Sequence, residues 1–322
     1  MSRYHGAVLA AGIGSRLRPL THHLPKPLVP IAGRPLVEYG LDALSRAGID
    51  RVGVNAWHLG EVLPRALDHR PERLRFVFEN ELQGTGGGVR GIAASCPGEP
   101  VVVCNGDALH DFDLRPLLAA HEASGAVATL VLREVHEDSP FARVGVDSDG
   151  RVHRIAEVEG PDAHRARLRM GAYTGVQIIE PALIERLPPQ GPCDVLRTAY
   201  RRALDERLPV HAVFVPKGSF WIDVGTVDRY LSAHEAVLAG RLPVAGLPRV
   251  DGGAHIADDA RVHAHAAVLA DARVASGARL GPGVFIDTGA TVAAGADLRR
   301  CVVWARTRAA GTLRDTVVLP PG

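Results

Sequence analysis

The chain reads as an α/β protein. A Rossmann-like, mostly parallel sheet comes first and a short left-handed parallel β-helix follows. Three observations predict this. Residues 1 to about 240 alternate short apolar runs with stretches of helical period, the pattern of a sheet covered by helices on both faces. From residue 254 onward aliphatic residues return every six positions. Between the two textures, "AGRLPVAGLPRVDGG" (239–253) is rich in Gly and Pro and reads as a linker. The expected organisation is a first domain over 1–240, a linker over 241–253 and the β-helix over 254–322.

The elements follow in order. "GAVLAA" is a buried strand, and "PLVEYGLDALSRAGI" carries Leu36, Val37, Leu41, Leu44 and Ile49 at helical spacing, ending near Gly48. "RVGVNA" is strand-like, "VLPRALDH" helical, "LRFVFE" a strand, and "GGGVRGIAASC" opens a helix after glycines. "PVVVCNGD" is a strand that ends in an acid; "LRPLLAAHEASG" is a helix for which Asp113 is the expected N-cap. "AVATLVLREV" is a strand. Ligands of such sheets bind beyond the carboxyl ends of the strands. The segments Gly12 to Arg18, Gly84 to Gly88 and Asn105 to Asp107 all fall at such ends.

The hexads are regular. Ile256, Val262, Val268, Val274, Leu280, Ile286, Val292 and Leu298 repeat at six, and two positions before each stands Ala or, at 284, Val. No α-helix has this period; it is that of a hexapeptide β-helix, with aliphatic residues inside and small ones where the chain turns corners. A coil of this kind needs caps or neighbours at its ends. The C-terminal "TVVLPP" is therefore an expected subunit contact, and a homo-oligomer is expected.

Composition excludes several classes. With 37 Lys and Arg against 36 Asp and Glu, the net charge is +1, which does not suit a nucleic-acid platform. Cys96, Cys104, Cys193 and Cys301 form no CxxC pair, so neither a zinc site nor a disulfide framework is expected. The apolar run Ala7 to Ala11 is too short for a signal-peptide core, and no run approaches a membrane span. A soluble, cytoplasmic protein that binds no membrane is expected.

The chemistry concentrates in "LAAGIGSRLRPLTHHLPKPLVPIAG" (9–33), a segment with three Lys or Arg and no acid. It contains neither GxxxxGK[ST] nor GxGxxG. Even so, Gly12 and Gly14 let the backbone approach an anion, Arg16 and Lys26 supply positive charge, and Pro25 and Pro27 stiffen the chain around Lys26. A phosphate-bearing ligand follows from that combination.

This segment, extended to "GRPL", resembles the signature of the sugar-1-phosphate nucleotidylyltransferases. The resemblance continues through "ELQGTGGGVR", "VVVCNGD" and "WIDVGT" and covers about residues 4 to 235. "VNAWHLGE" and "GTGGG" are most similar to mannose-1-phosphate guanylyltransferases and to N-acetylmuramate-1-phosphate uridylyltransferase. The resemblance implies attack of a sugar 1-phosphate on the α-phosphorus of a nucleoside triphosphate, giving an NDP-sugar and pyrophosphate. Catalytic roles then fall to Arg16, on the β and γ phosphates, to Lys26, and to Asp107 and Asp223, which would hold Mg²⁺. These two acids stand 116 positions apart, so their meeting in space is a prediction. Nucleotide binding is implied for Leu9, Ala10, Ala11, Gly12, Gly14, Ser15, Arg16, Glu79, Gly84 and Thr85.

By the same resemblance Glu79 reads the base. A carboxylate only accepts hydrogen bonds, so it matches guanine N1–H and N2–H₂, or N3–H of uracil or thymine. GTP or UTP is favoured, with a mannose-1-phosphate-like sugar. The implied sugar-side residues are Asn105, Glu157, Thr174 and Gly175. Two departures stand out: "AEVEG" replaces a Glu-Lys-Pro segment of many relatives, leaving Lys217 as a candidate substitute, and "YTG" replaces Asn-x-Gly. His58 is a candidate substrate contact, while His22 and His23 read as loop residues. Two alternatives are an N-acetylmuramate-1-phosphate uridylyltransferase-like activity and a non-catalytic NDP-sugar-binding homologue. A third is an acyltransferase run by the coil, where His255, His263 and His265 cluster.

Overall fold

The first apolar run, His5–Leu9, forms strand β1 and is followed in the same sheet by β2 (Arg51–Ala56), β3 (Arg73–Phe78) and β4 (Val101–Asn105). β1 pairs in parallel with both β2 and β4, and β3 joins β2 in parallel. Ala7, Val8, Val52, Val54, Val101 and Val103 are almost wholly removed from water, as strands covered on both faces require. The structure, a computed structural model, describes residues 2–57, 59–135, 141–165 and 167–321.

By compactness the chain divides into two units, which do not follow chain order. The first is Met1–Ile13, Pro25–Pro27 and Val37–Trp221; the second is Gly14–Leu24, Leu28–Leu36 and Ile222–Gly322.

In the first unit the sheet has ten strands and is mixed. Beyond the four parallel strands come β5 (Ala128–Glu134), β6 (Arg143–Val146), β7 (Val152–Ile155), β8 (Val158–Glu159), β9 (Arg169–Ile179) and β10 (Val210–Phe214). β9 runs antiparallel to β4, β5 and β6, while β10 is parallel to β5. The antiparallel half has a simple cause. β6, β7 and β8 are joined by connections too short for a helical crossover, and such neighbours can only be antiparallel. Helices α1 (Leu36–Arg46), α2 (Gly84–Ala93) and α3 (Leu114–Ser124) flank the parallel strands in sequence. Asp113 caps α3, its carboxylate accepting the Arg115 N–H at 3.0 Å, and Gly125 closes it at φ +60°. The helix expected in "VLPRALDH" is a single turn, Leu63–Ala66.

In the second unit the hexads build a parallel β-helix. His255, Arg273 and Thr291 stack in register, as do Arg261, Arg279 and Asp297. Three hexads thus complete one coil. The aliphatic positions Val268, Val274, Leu280, Ile286, Val292 and Leu298 are buried together. The small positions Ala266, Ala272, Ala278, Val284, Ala290 and Ala296 share that interior rather than forming the corners. The corners fall three residues after each aliphatic, where Gly277, Gly283, Gly289 and Gly295 take φ near +70°.

Helix α4 (Val227–Leu238), which the sequence texture places in the first domain, groups with the coil. Its buried face explains the grouping. Trp304 Nε1–H donates to Tyr230 Oη at 2.9 Å, and Arg300 reaches Glu235 at 2.8 Å. His234, wholly buried on the same helix, accepts the Ala32 N–H on Nε2 at 3.1 Å. All four cysteines are free thiols, and among the described residues no helix is long and apolar enough to cross a membrane.

Candidate functional site

Register across the parallel strands builds the floor of a site in the first unit. Leu9, the last residue of β1, lies opposite Asn55 of β2 on one side and Asn105 of β4 on the other. These three carboxyl ends open into a cavity of about 180 Å³ lined by Leu9, Ala11, Gly12, Asn55, Leu82, Gly84, Thr85, Asn105 and Asp107. The location obeys the rule for open α/β sheets. Larger concavities lie elsewhere on this unit, around Val146, Arg169 and Phe214, but they lack the convergence of strand ends and helix start found here.

Each wall has a local cause. Gly106 donates its N–H to the Leu9 carbonyl at 2.9 Å, and a Cβ there would stand 2.8 Å from that oxygen; hence the glycine in "CNGD". Asp107 follows, facing the cavity, and its Oδ2 lies 2.6 Å from Lys26 Nζ. Lys26 is largely sheltered, at 12% side-chain exposure, while Asp107 keeps 32%. Pro25 and Pro27 hold Lys26 in a short 3₁₀ turn. On the opposite wall α2 begins at Gly84, its N-terminal dipole turned toward the same space as Gly12.

The "GTGGG" run serves packing as well as the site. Gly84 has φ +69°, and a Cβ on it would approach the Cys193 carbonyl to 2.6 Å. A Cβ on Gly88 would come within 2.5 Å of Asn55 Nδ2. Thr85 donates its hydroxyl to Asp194 and accepts the Val195 N–H, tying the helix start to residues 194–195.

The expected residues fare differently. Leu9, Ala11, Gly12, Gly84, Thr85, Asn105 and Asp107 are brought together around the cavity. Ala10 adjoins them and donates its N–H to Asn55 Oδ1 at 2.7 Å. Glu79 is not on the cavity wall: its Oε1 accepts from Asn55 Nδ2 at 2.7 Å and its Oε2 from the Gln83 N–H at 2.9 Å. Gly175, at φ +85°, packs on Asn105, with a Cβ there 2.8 Å from Asn105 Nδ2. Thr174 is a correction. Its side chain is fully buried and its hydroxyl donates to the Val131 carbonyl at 2.8 Å, so it faces the core and not a ligand. Glu157 stands exposed in an ion pair with Arg197 at 2.6 Å, and Lys217 is also exposed; neither lines the cavity. His58 lies outside the described residues.

The second unit holds its own cluster. Gly14, at φ +67°, starts the 3₁₀ turn Ser15–Leu17 that carries Arg16, and its carbonyl accepts the Thr21 hydroxyl at 3.0 Å. A Cβ on Gly225 would lie 3.1 Å from Arg16 Nη2 and 3.2 Å from Asp223 Oδ1. The bare glycine thus lets guanidinium and carboxylate crowd against the backbone of "WIDVGT". Asp223 is held by Arg229 at 2.8 Å.

Asn55 and Leu82 escaped the sequence reading. Asn55 could have been found: a polar residue near the end of a mostly apolar strand, at 3% exposure here, must have its amide satisfied. Leu82 sits in a turn with no pattern to mark it.

Known proteins supply the wider context. Relatives include a UTP–glucose-1-phosphate uridylyltransferase of Synechocystis sp., 30% identical over 76% of this chain and 66% of its own length. Another is a mannose-1-phosphate guanylyltransferase of Mycobacterium tuberculosis, 29% identical over 79% of this chain and 70% of its own. The chain thus spans about two thirds of the length of these relatives. Among solved structures, HddC from Yersinia pseudotuberculosis complexed with GMP-PN superposes with a TM-score of 0.57 at 22% identity, over 72% of this chain and 98% of that one. That likeness concerns the fold. The family model described as nucleotidyl transferase matches residues 5–240, and the chain belongs to that family.

Proposed function

We propose that this protein is a sugar-1-phosphate nucleotidylyltransferase, which joins a nucleoside monophosphate from GTP or UTP to a mannose-1-phosphate-like sugar and releases pyrophosphate. The observation that carries the reading is the Lys26–Asp107 pair facing a strand-end cavity walled by the Gly12 loop and the start of α2. The names of the relatives, one uridylyl- and one guanylyltransferase, agree with it.

In this reading an oxygen of the sugar phosphate attacks the α-phosphorus in line. One P–O bond forms, the bond to the β-phosphate oxygen breaks, and pyrophosphate carries the charge away. Such a reaction asks the protein for positioning and charge stabilisation and for no covalent intermediate. Lys26 supplies a compact positive charge that exchanges its present partner, Asp107, for phosphate oxygens. The backbone of Ala11 and Gly12 and the Gly84 and Thr85 N–H groups are assigned as donors toward the triphosphate, while the Gly86 N–H is held by the Cys193 carbonyl at 2.9 Å. Arg16 is assigned to the leaving pyrophosphate. Asn105 with Gly175 is assigned to the sugar.

Asp107 and Asp223 are assigned to Mg²⁺, a cation that takes hard oxygen donors such as carboxylates. Bound there, the cation would neutralise phosphate charge during transfer. Glu79 is assigned to the base edge. Each of its oxygens retains a free lone pair beyond the bonds from Asn55 and Gln83. The coil is proposed as the subunit contact of a cytoplasmic homo-oligomer, which light scattering would test.

The experiment is pyrophosphate release with Mg²⁺, crossing four nucleoside triphosphates with mannose-, glucose-, N-acetylglucosamine- and N-acetylmuramate-1-phosphate. Turnover with GTP or UTP is expected. Preference for ATP or CTP would overturn the role of Glu79, and no turnover in any combination would overturn the assignment.

A further inference from the structure

We infer that Asn55 is a positioning residue, which locks the nucleotide loop at Ala10 to the carboxylate of Glu79 through a single buried amide. The inference rests on the reading of this cavity as the nucleotide site.

The amide is committed on both of its ends. Its Oδ1 accepts the Ala10 N–H at 2.7 Å, and its Nδ2 donates to Glu79 Oε1 at 2.7 Å. The two bonds together fix which end is oxygen and which is nitrogen, because a backbone N–H cannot accept and a carboxylate cannot donate. Glu79 Oε2 then accepts the Gln83 N–H at 2.9 Å, just ahead of α2. Three sequence-distant segments are thereby joined: the end of β1, the end of β2 and the turn into α2. The Glu79 N–H also bonds the Ala56 carbonyl at 2.8 Å, which holds the carboxylate at the end of β2. Gly88 makes room for the arrangement, since a Cβ there would sit 2.5 Å from Asn55 Nδ2.

This explains why an amide interrupts the apolar run Val52–Ala56 one residue before the strand ends. It also explains the last glycine of "GTGGG". The coupling means that the loop that meets the phosphates and the group assigned to the base cannot shift independently. A buried, doubly bonded amide suits this task because it keeps its donor at every pH.

The decisive variant is Asn55→Asp, which keeps the shape and turns the donor toward Glu79 into an oxygen. Two carboxylates at hydrogen-bond distance repel when both are ionised, so the pair gives up its last proton only well above the ordinary carboxylate range, and at about pH 8 it has done so. The charged groups around this pair are Glu81 and Arg90, both hydrogen-bonded to the Gln83 side chain, and Asp107 on the cavity wall, with Lys26 as its partner. At about pH 8 the variant is expected to raise the KM for nucleoside triphosphate roughly tenfold or more, with a smaller change in kcat. As the pH falls and the proton returns, it restores a donor between the two oxygens, and KM moves back toward the wild-type value. Wild type lacks this limb. Gly88→Ala, which crowds the amide without adding charge, raises KM with no such pH dependence.

Thermal unfolding without substrate follows the relay separately. Asn55→Asp should lower Tm at pH 8 more than at pH 6, and adding Glu79→Gln, which returns a donor from the other side, should recover part of the loss. A KM for Asn55→Asp equal to wild type at pH 8, or a raised KM that stays raised on acidification, would overturn the inference. Absence of turnover in the wild-type protein would instead overturn the functional reading, and the unfolding data would still decide whether the relay exists. Should Asn55→Asp not fold, Gly88→Ala carries the test: an unchanged KM overturns the positioning role.

Discussion

Replacing Lys26 by Met removes one charge and keeps most of the side-chain volume. In the structure Lys26 Nζ lies 2.6 Å from Asp107 Oδ2, with the lysine sheltered and the acid partly wet. At an effective dielectric of about 20, the attraction at that separation is about 6 kcal/mol before desolvation is charged against it. What survives in measurements is about 1.5–3 kcal/mol for each hydrogen bond to a charged group. Lys26 is assigned one such contact in the reaction, to phosphate, taken in exchange for Asp107. Losing it predicts a fall in turnover of roughly 10- to 150-fold. The assay is pyrophosphate release at saturating substrates, with circular dichroism to show that the fold is intact. Asp107, left without its cation, should also weaken the protein. The double variant Lys26→Met/Asp107→Asn removes that stranded charge, so it should recover stability and no turnover. A loss smaller than about tenfold for Lys26→Met would refute contact between the ammonium and the reacting phosphates. Recovery of turnover in the double variant would show that Lys26 serves only to neutralise Asp107.

Other consequences are equally specific. Gly225→Ala places a methyl group 3.1 Å from Arg16 Nη2 and 3.2 Å from Asp223 Oδ1; the flexible arginine end yields, so turnover should drop while Tm changes little. Gly84→Ala combines φ +69° with a 2.6 Å approach to the Cys193 carbonyl, and denaturant unfolding should show a loss of at least about 1–2 kcal/mol. Leu280→Ala empties an interior position of the coil that is 2% exposed, and should cost about 2–5 kcal/mol in the same measurement. His110 is buried beside Phe112, with neither ring nitrogen hydrogen-bonded among the described residues. Burial, then the Arg46 guanidinium, pushes its pKa down to about 4. The unfolded chain therefore takes the proton first. The native state is at full advantage above about pH 6.5 and loses it as the pH falls toward 4, by at most about 3 kcal/mol. His110→Phe, which cannot titrate, should flatten that acid limb of the unfolding free energy.

Periodicity and local chemistry were legible from the residues alone. The six-residue repeat marked the coil because each interior position must be apolar and each repeat must close to the same shape. Eighteen-residue stacking such as His255 on Arg273 on Thr291 then follows from three hexads per turn. The parallel strands β1, β2 and β4 could be read because both of their faces are buried. The N-cap at Asp113 could be read because a short acceptor before an apolar period has one good use. The meeting of Gly12, Gly84, Asn105 and Asp107 at strand ends could be read because parallel strands of one sheet bring their carboxyl ends to the same edge.

Tertiary structure decided the remainder. The antiparallel half of the sheet depends on which strands a short turn can join, which apolar content does not reveal. Thr174, polar in sequence and next to Gly175, turned out to satisfy its hydroxyl on a core carbonyl. Helix α4 reads as any amphipathic helix, and its contacts through Tyr230 to Trp304, His234 to Phe285 and Glu235 to Arg300 assign it to the coil. Asn55 is the clearest case. Its side chain carries no motif, and its two bonds arise because the residues just after β1 and just after β3, Ala10 and Glu79, both reach one amide of β2. Sequence reports what each residue can donate, accept or bury; which donors meet which acceptors is set when strands far apart in the chain pair in register.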